Sequence, residues 1–139
     1  KDYLLKEFPN SKFKGQVHSV EHHTAHMSSA FHVSPFDDAV VLSIDGFGDF
    51  ASAAWGVGLD TKINLDDRVY FPHSLGIFYQ ALTQYLGFNN YGDEYKIMGL
   101  APYGNPTFMK EMGEILYTNK NGEYSLNLDV FRHHNEKSS

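Results

Sequence analysis

The chain has 139 residues, 42% of them hydrophobic and 20% charged, enough to build the core of one modest domain or of part of a larger one. A formal net charge of −6, with eleven Lys and Arg spread along the chain, argues against a nucleic-acid binder working by broad electrostatics. No cysteine is present, which excludes disulfide scaffolds, thiolate metal sites and cysteine nucleophiles. It also fits a cytoplasmic protein, and no apolar run approaches the length of a membrane span.

Leu4, Leu5 and Phe8 fall at helical spacing, so residues 2–8 read as a short helix ended by Pro9. Residues 16–20 read as a short strand. Residues 22–32 read as a helix whose small residues, Ala25, Ser28, Ser29 and Ala30, permit close packing. The apolar, β-branched run from Ala39 to Ile44 reads as a strand buried on both faces. It leads into Asp45-Gly46-Phe47-Gly48-Asp49, a run of residues that tolerate unusual dihedrals and therefore a turn. Residues 51–57 complete a hairpin, and 62–70 form a further strand.

Ser74 is placed to cap an amphipathic helix over 74–86, with Leu75, Phe78, Leu82, Tyr85 and Leu86 on one face and Gly87 at its end. Residues 95–100 read as a short helix, 107–117 as another started by Pro106, and 123–128 as an edge strand. The mixture of strands and helices points to an α/β or α+β class. Lys1 and the polar run from Arg132 to Ser139 read as cut ends. A single partial domain over 1–139 is therefore expected, with 1–15 and 130–139 peripheral.

Chemistry concentrates first in His22-His23-Thr24-Ala25-His26. Histidine offers neutral ring nitrogens suited to first-row transition metals. On a helix His22 and His26 share one face, one turn apart, while His23 points about 100° away. Taken alone, a pair at that spacing is more often exposed or hydrogen-bonded than a pair of ligands. Two histidines also leave a metal site incomplete, and a carboxylate is the usual further ligand. Asp45 is the candidate, at the end of an apolar strand beside glycines that let the chain approach a phosphate. His73 and Ser74 stand at a helix N-terminus, which favours anions. Lys96 can bind phosphate or carboxylate, or be an ordinary surface lysine.

Together these segments resemble the nodulation-type O-carbamoyltransferase family, which includes antibiotic carbamoyltransferases. The matching stretches are Glu21–His26 with Ser29-Ala30-Phe31, Ser34–Ala39, Ile44–Asp49, Phe71–Gly76 and Glu94–Gly104, in the family's order. The resemblance implies a partial actin/hexokinase/Hsp70-like (ribonuclease-H-like) α/β domain, with a mixed sheet and flanking helices. It implies His22, His26 and Asp45 as ligands of a divalent metal, usually iron, and Asp45, Gly46, Gly48, His73, Ser74 and Lys96 at a nucleotide site. His23 is the candidate catalytic base. The activity implied is passage of a carbamoyl group from carbamoyl-adenylate, made from carbamoyl phosphate and ATP, to a hydroxyl of a small-molecule or saccharide acceptor.

The adenylation domain and a further metal-binding aspartate are expected outside this stretch. The isolated chain is accordingly expected to lack full transfer activity and to be prone to self-association. No nucleic acid or membrane partner is expected. Two other readings stay open: a sugar-kinase-like or chaperone-like nucleotide-binding domain, and a non-catalytic interaction domain of the same fold.

Overall fold

A computed structural model describes residues 2–10 and 15–135. The elements run α1 (Asp2–Glu7), α2 (His22–Phe31), β1 (Asp38–Gly48), β2 (Ala51–Leu59), β3 (Lys62–Tyr70), α3 (Leu75–Tyr85), α4 (Glu94–Leu100), a 3-10 turn (Ala101–Tyr103), α5 (Met109–Ile115), β4 (Leu116–Thr118) and β5 (Tyr124–Leu126). Strands β1, β2 and β3 form an antiparallel meander, and β4 pairs with β5 in a separate two-stranded ribbon. The expected mixed sheet is thus corrected: every strand pair among the described residues is antiparallel.

Helix α2 lies across one face of the meander. It buries His23, Met27 and Phe31, spaced four apart so that they form one stripe. Met27 and Phe31 pack with Val41 and Ala54, flanked by Ala39, Ile63 and Leu65. Gly58 makes room for this contact, because a Cβ there would come within 2.7 Å of the Phe31 ring. The small residues expected to pack closely do not: Ala25, Ser29 and Ala30 face outward. Large side chains, not small ones, set the separation of helix and sheet.

The β1 strand forms where expected, but it is not buried on both faces. Val41 and Ser43 point under α2, while Val40 is 82% exposed and Leu42 60% exposed. The turn before β5 lies beside Leu42 and Ile44 without covering them. The turn is also shifted. Gly46 and Gly48 belong to β1, and the two-residue loop is Asp49-Phe50, with φ of 49° and 66°. Both residues are left-handed, as a type I′ hairpin requires. Gly48 therefore serves close approach and not the turn.

Other expectations shift by an element or a face. Residues 16–20 are exposed and form no strand. The α3 helix is capped by Ser74 and followed by Gly87 at φ 91°, but Tyr85 and Leu86 at its end are exposed. Its contacts include Gly76 against β1, Phe78 against Phe131, ring centroids 6.0 Å apart, and the Tyr79 hydroxyl, which donates to the Glu94 carbonyl at 2.8 Å. The helix expected over 107–117 stops at Ile115, and Leu116–Thr118 instead pairs with Tyr124–Leu126. The ribbon is tied to the meander by Ser52, whose Oγ lies 2.8 Å from the Tyr124 hydroxyl, and by the Leu126 N–H, which donates to His73 Nδ1 at 3.1 Å. No helix among the described residues is long and apolar enough to cross a membrane.

Candidate metal centre

Two elements deliver the donors. The first turn of α2 presents His22 and His26, and the end of β1 presents Asp45 opposite them. His22 Nε2 lies 2.7 Å from Asp45 Oδ2 and 3.0 Å from His26 Nε2, and His26 Nε2 lies 3.4 Å from the same carboxylate oxygen. Among the described residues this is the group of three whose ligand atoms converge. The donor set fits a first-row cation. With bonds of about 2.1 Å, neighbouring ligands are separated by about 3.0 Å at a right angle and about 3.4 Å at the tetrahedral angle. The two separations from His26 match these, while the 2.7 Å His22–Asp45 contact is that of a hydrogen bond, which a cation would have to replace. The rings also face one another through two nitrogens that cannot each satisfy both neighbours with a single proton.

Local chemistry holds the helix start in place. Glu21 caps α2, its carboxylate accepting from the His23 N–H at 3.1 Å and from the Thr24 N–H and hydroxyl at 2.8 and 2.7 Å. Burial alone would raise the Glu21 pKa. The Thr24 hydroxyl, the two amides and nearby Arg68 outweigh it and lower the group from 4.5 to about 2. The His22 N–H donates to Asp49 Oδ2 at 2.9 Å, which joins the helix start to the hairpin loop. Asp45 is held below the usual carboxylate range, first by its bond from His22, with burial opposing, and then by the Gly46 N–H and the charges of His22 and His26. It is therefore an ionised donor at neutral pH.

Glycines and a serine close the site from behind. A Cβ at Gly48 would meet the His22 ring at 2.1 Å, and one at Gly76 would meet the Gly46 backbone at 2.7 Å. Gly48 thus seats the His22 ring, and Gly76 lets α3 touch β1 beside Asp45. Ser74 is fully buried; its Oγ donates to the Gly46 carbonyl at 2.7 Å and accepts from the Ile77 N–H at 3.1 Å. It braces Asp45-Gly46 and faces no open space.

The remaining sequence candidates lie elsewhere. His73 binds the Leu126 amide, and its pKa is lowered by burial and by His133 and His134. Lys96 pairs with Asp93 at 2.6 Å, away from the histidines. His23 is 0% exposed and touches Ser43, not the open side of the cluster. Sequence reasoning missed Glu21, Asp49, Gly76 and Ser43. Glutamate is not a usual N-cap, though Glu21 three residues before Thr24 is a local signal. The others act through tertiary contacts that carry no local pattern.

A cavity of about 310 Å³ opens beside Asp45 and Gly46, lined also by Gly76, Tyr79, Gln80 and Glu94.

Comparison with known sequences places this geometry in a family. The profile described as carbamoyltransferase N-terminus matches residues 4–139. The nodulation protein NolNO of Sinorhizobium fredii is 40% identical over 129 residues, 91% of this chain and 18% of that protein. The nodulation protein NolO of Bradyrhizobium diazoefficiens is 43% identical over 113 residues, 79% of this chain and 20% of that protein. An uncharacterised protein of Synechocystis is 41% identical over 114 residues, 81% of this chain and 18% of that protein. The chain spans about a fifth of the length of these relatives. It belongs to the carbamoyltransferase N-terminus family.

Proposed function

We propose that this chain is the metal-bearing part of an O-carbamoyltransferase. In this reading His22, His26 and Asp45 hold a divalent cation, iron first among the candidates. The intact protein passes a carbamoyl group from carbamoyl-adenylate, made from carbamoyl phosphate and ATP, to a hydroxyl of a small-molecule or saccharide acceptor. The observation that carries it is the convergence of the three donors from α2 and β1 in a chain of this family. When bound, the cation supplies positive charge for phosphate oxygens on the leaving AMP.

The chain's own residues do the positioning. Asp45 and Gly46 form the shared wall between the cluster and the adjoining cavity, which suits a phosphate lying beside the donors. The Gly46 N–H is occupied by Asp45 Oδ1 at 2.6 Å, so this amide orients the carboxylate and is not free for phosphate. Ser74 and Gly48 act on the site through Gly46 and His22. In the transfer itself the bond from the carbamoyl carbon to the phosphate oxygen breaks, the bond to the acceptor oxygen forms, and the hydroxyl proton is released. The antiparallel meander followed by a helix packed back on β1 supports the actin/hexokinase/Hsp70-like reading of the fold.

The test uses the intact protein with carbamoyl phosphate, ATP and a panel of hydroxyl acceptors. Carbamoylated product is expected, with loss of both bound metal and activity in His22→Ala and His26→Ala. Unchanged metal content in both variants would remove the ligand assignment. ATP turnover without carbamoyl transfer would favour a kinase-like protein instead.

A further inference from the structure

The two elements that carry the donors are joined by a second contact one layer behind them. His23, the residue after His22, is 0% exposed and places its Nδ1 2.8 Å from the hydroxyl of Ser43, which precedes Asp45 by two on the same face of β1. Among the described residues, the side-chain hydrogen bonds between α2 and β1 are this one and the His22–Asp45 contact itself. It therefore spans the gap between helix and strand at the level of the donors without using a donor atom. The His23 ring also stands edge-on to the His22 ring, centroids 5.2 Å apart at 76°, while Gly48 lies against His22 as well.

Packing alone does not call for a histidine here. Met27 and Phe31 continue the same buried stripe with apolar side chains. The His23 Nε2 is buried and has no hydrogen-bond partner among the described residues. In a neutral imidazole one nitrogen donates and the other accepts. Either Nδ1–H donates to Ser43 and leaves the Nε2 lone pair bare, or the Ser43 hydroxyl donates to Nδ1 and leaves the Nε2–H bare. Both arrangements cost stability, and such a group in a native core asks for a reason other than packing.

We infer that His23 is a positioning residue whose bond to Ser43 fixes the seat of α2 on β1 at which His22, His26 and Asp45 converge. The inference rests on the reading of those three as metal ligands. It assigns His23 no contact with substrate.

The experiment titrates the intact apo-protein with Co(II) alone, following the ligand-field bands, and records thermal melting of the same samples. His23→Leu removes the orphan nitrogen, so its melting temperature is expected to equal or exceed that of the wild type. Its Co(II) affinity is expected to fall about ten-fold or more, the size seen when groups supporting metal ligands are removed. Ser43→Ala, a smaller change, is expected to lower affinity similarly, and the double variant no further, because the two residues act as one bridge. If His23→Leu does not fold, Ser43→Ala decides. Affinity within two-fold of wild type in the folded variants would overturn the inference and leave the metal reading standing. Failure of the wild type to bind Co(II) would sink the metal reading and this inference with it.

Discussion

The chain holds two groups of histidines, and they differ in where the ring nitrogens point. In the first, Nε2 of His22 and Nε2 of His26 face each other at 3.0 Å beside the Asp45 carboxylate. In the second, each ring is committed to backbone. His73 Nδ1 takes the Leu126 N–H, His133 Nε2 lies 2.8 Å from the Pro72 carbonyl, and His134 Nδ1 lies 3.2 Å from that of Phe131. His133 also packs edge-on against Phe71, centroids 5.9 Å apart. The second group is a fastener between the β3–α3 junction and the C-terminal segment. Histidine density does not separate the two groups; the convergence of ring nitrogens beside a carboxylate in the first, against bonds to backbone in the second, does.

The sharpest way to break this comparison is metal binding by single variants of the intact protein. His22→Ala, His26→Ala or Asp45→Ala is expected to weaken divalent-metal affinity by at least about 100-fold, since each removes a proposed ligand, where loss of an outer-shell group costs about 10–100-fold. His133→Ala is expected to leave it within two-fold. Calorimetric titration reads both, and equal losses in the two groups would erase the distinction. Next in size is the seat of Asp45. Gly76→Ala drives a methyl to 2.7 Å from the Gly46 backbone, whereas a Cβ at Gly46 meets nothing within 4 Å. Gly76→Ala is expected to cost about 1–3 kcal/mol as an overpacked contact, and Gly46→Ala well under that. Urea unfolding checks the ranking; a milder Gly76 variant would mean that α3 can retreat without harm.

Much of the first group was legible before any coordinates. Four-residue spacing places His22 and His26 on one helical face, and Asp45 at the end of an apolar strand is the carboxylate that the fold brings beside them. What sequence could not carry was tertiary. The glycines of Asp45–Asp49 have the composition of a turn, yet the turn falls on Asp49-Phe50, and Gly48 lies in the strand where it seats the His22 ring. His23 looked available to a substrate because helical geometry turns it away from His22. That direction leads into the sheet. The run from Ala39 to Ile44 has the composition of a strand covered on both sides, but α2 covers one side only, and Val40, Leu42 and Ile44 face out. Composition reports what a surface is suited to meet, not what this stretch of chain provides. In the β4–β5 ribbon the edge strand expected over 123–128 is present as Tyr124–Leu126, but its partner Leu116–Thr118 reads as the end of a helix, because a three-residue strand is too short for alternation to outweigh a helical pattern.

A smaller effect tests the anchoring of α2. Glu21→Ala removes the cap of α2 and is expected to cost about 1 kcal/mol at neutral pH. It also changes the acid limb. The Glu21 pKa falls from 4.5 unfolded to about 2 folded, so its contribution is complete above pH 4.5 and is lost as pH drops toward 2. The difference in stability between wild type and Glu21→Ala should therefore shrink across that window. A difference that stayed constant with pH would mean the cap works through packing and not through its charge.

The second group has its own pH signature, the smallest effect expected and the one that tells latch from ligand. His73 is held below its ordinary value of 6.5 by burial and by the charges of His133 and His134. Its folded state therefore disfavours the proton more than its unfolded state does. The stability it contributes is complete above pH 6.5 and is lost as pH falls through the folded-state value. The geometry agrees in sign: protonation of Nδ1 would set an N–H against the Leu126 N–H that it now accepts. Stability measured by urea titration from pH 8 downward should begin to decline near 6.5 in the wild type and decline less steeply in His73→Gln. Metal affinity above pH 7 should be the same in both proteins, because the His73 ring is bonded to Leu126 and is not one of the converging donors. A His73→Gln protein that kept the wild-type slope would place the acid-sensitive contact elsewhere, and one that lost metal would merge the two histidine groups into a single site.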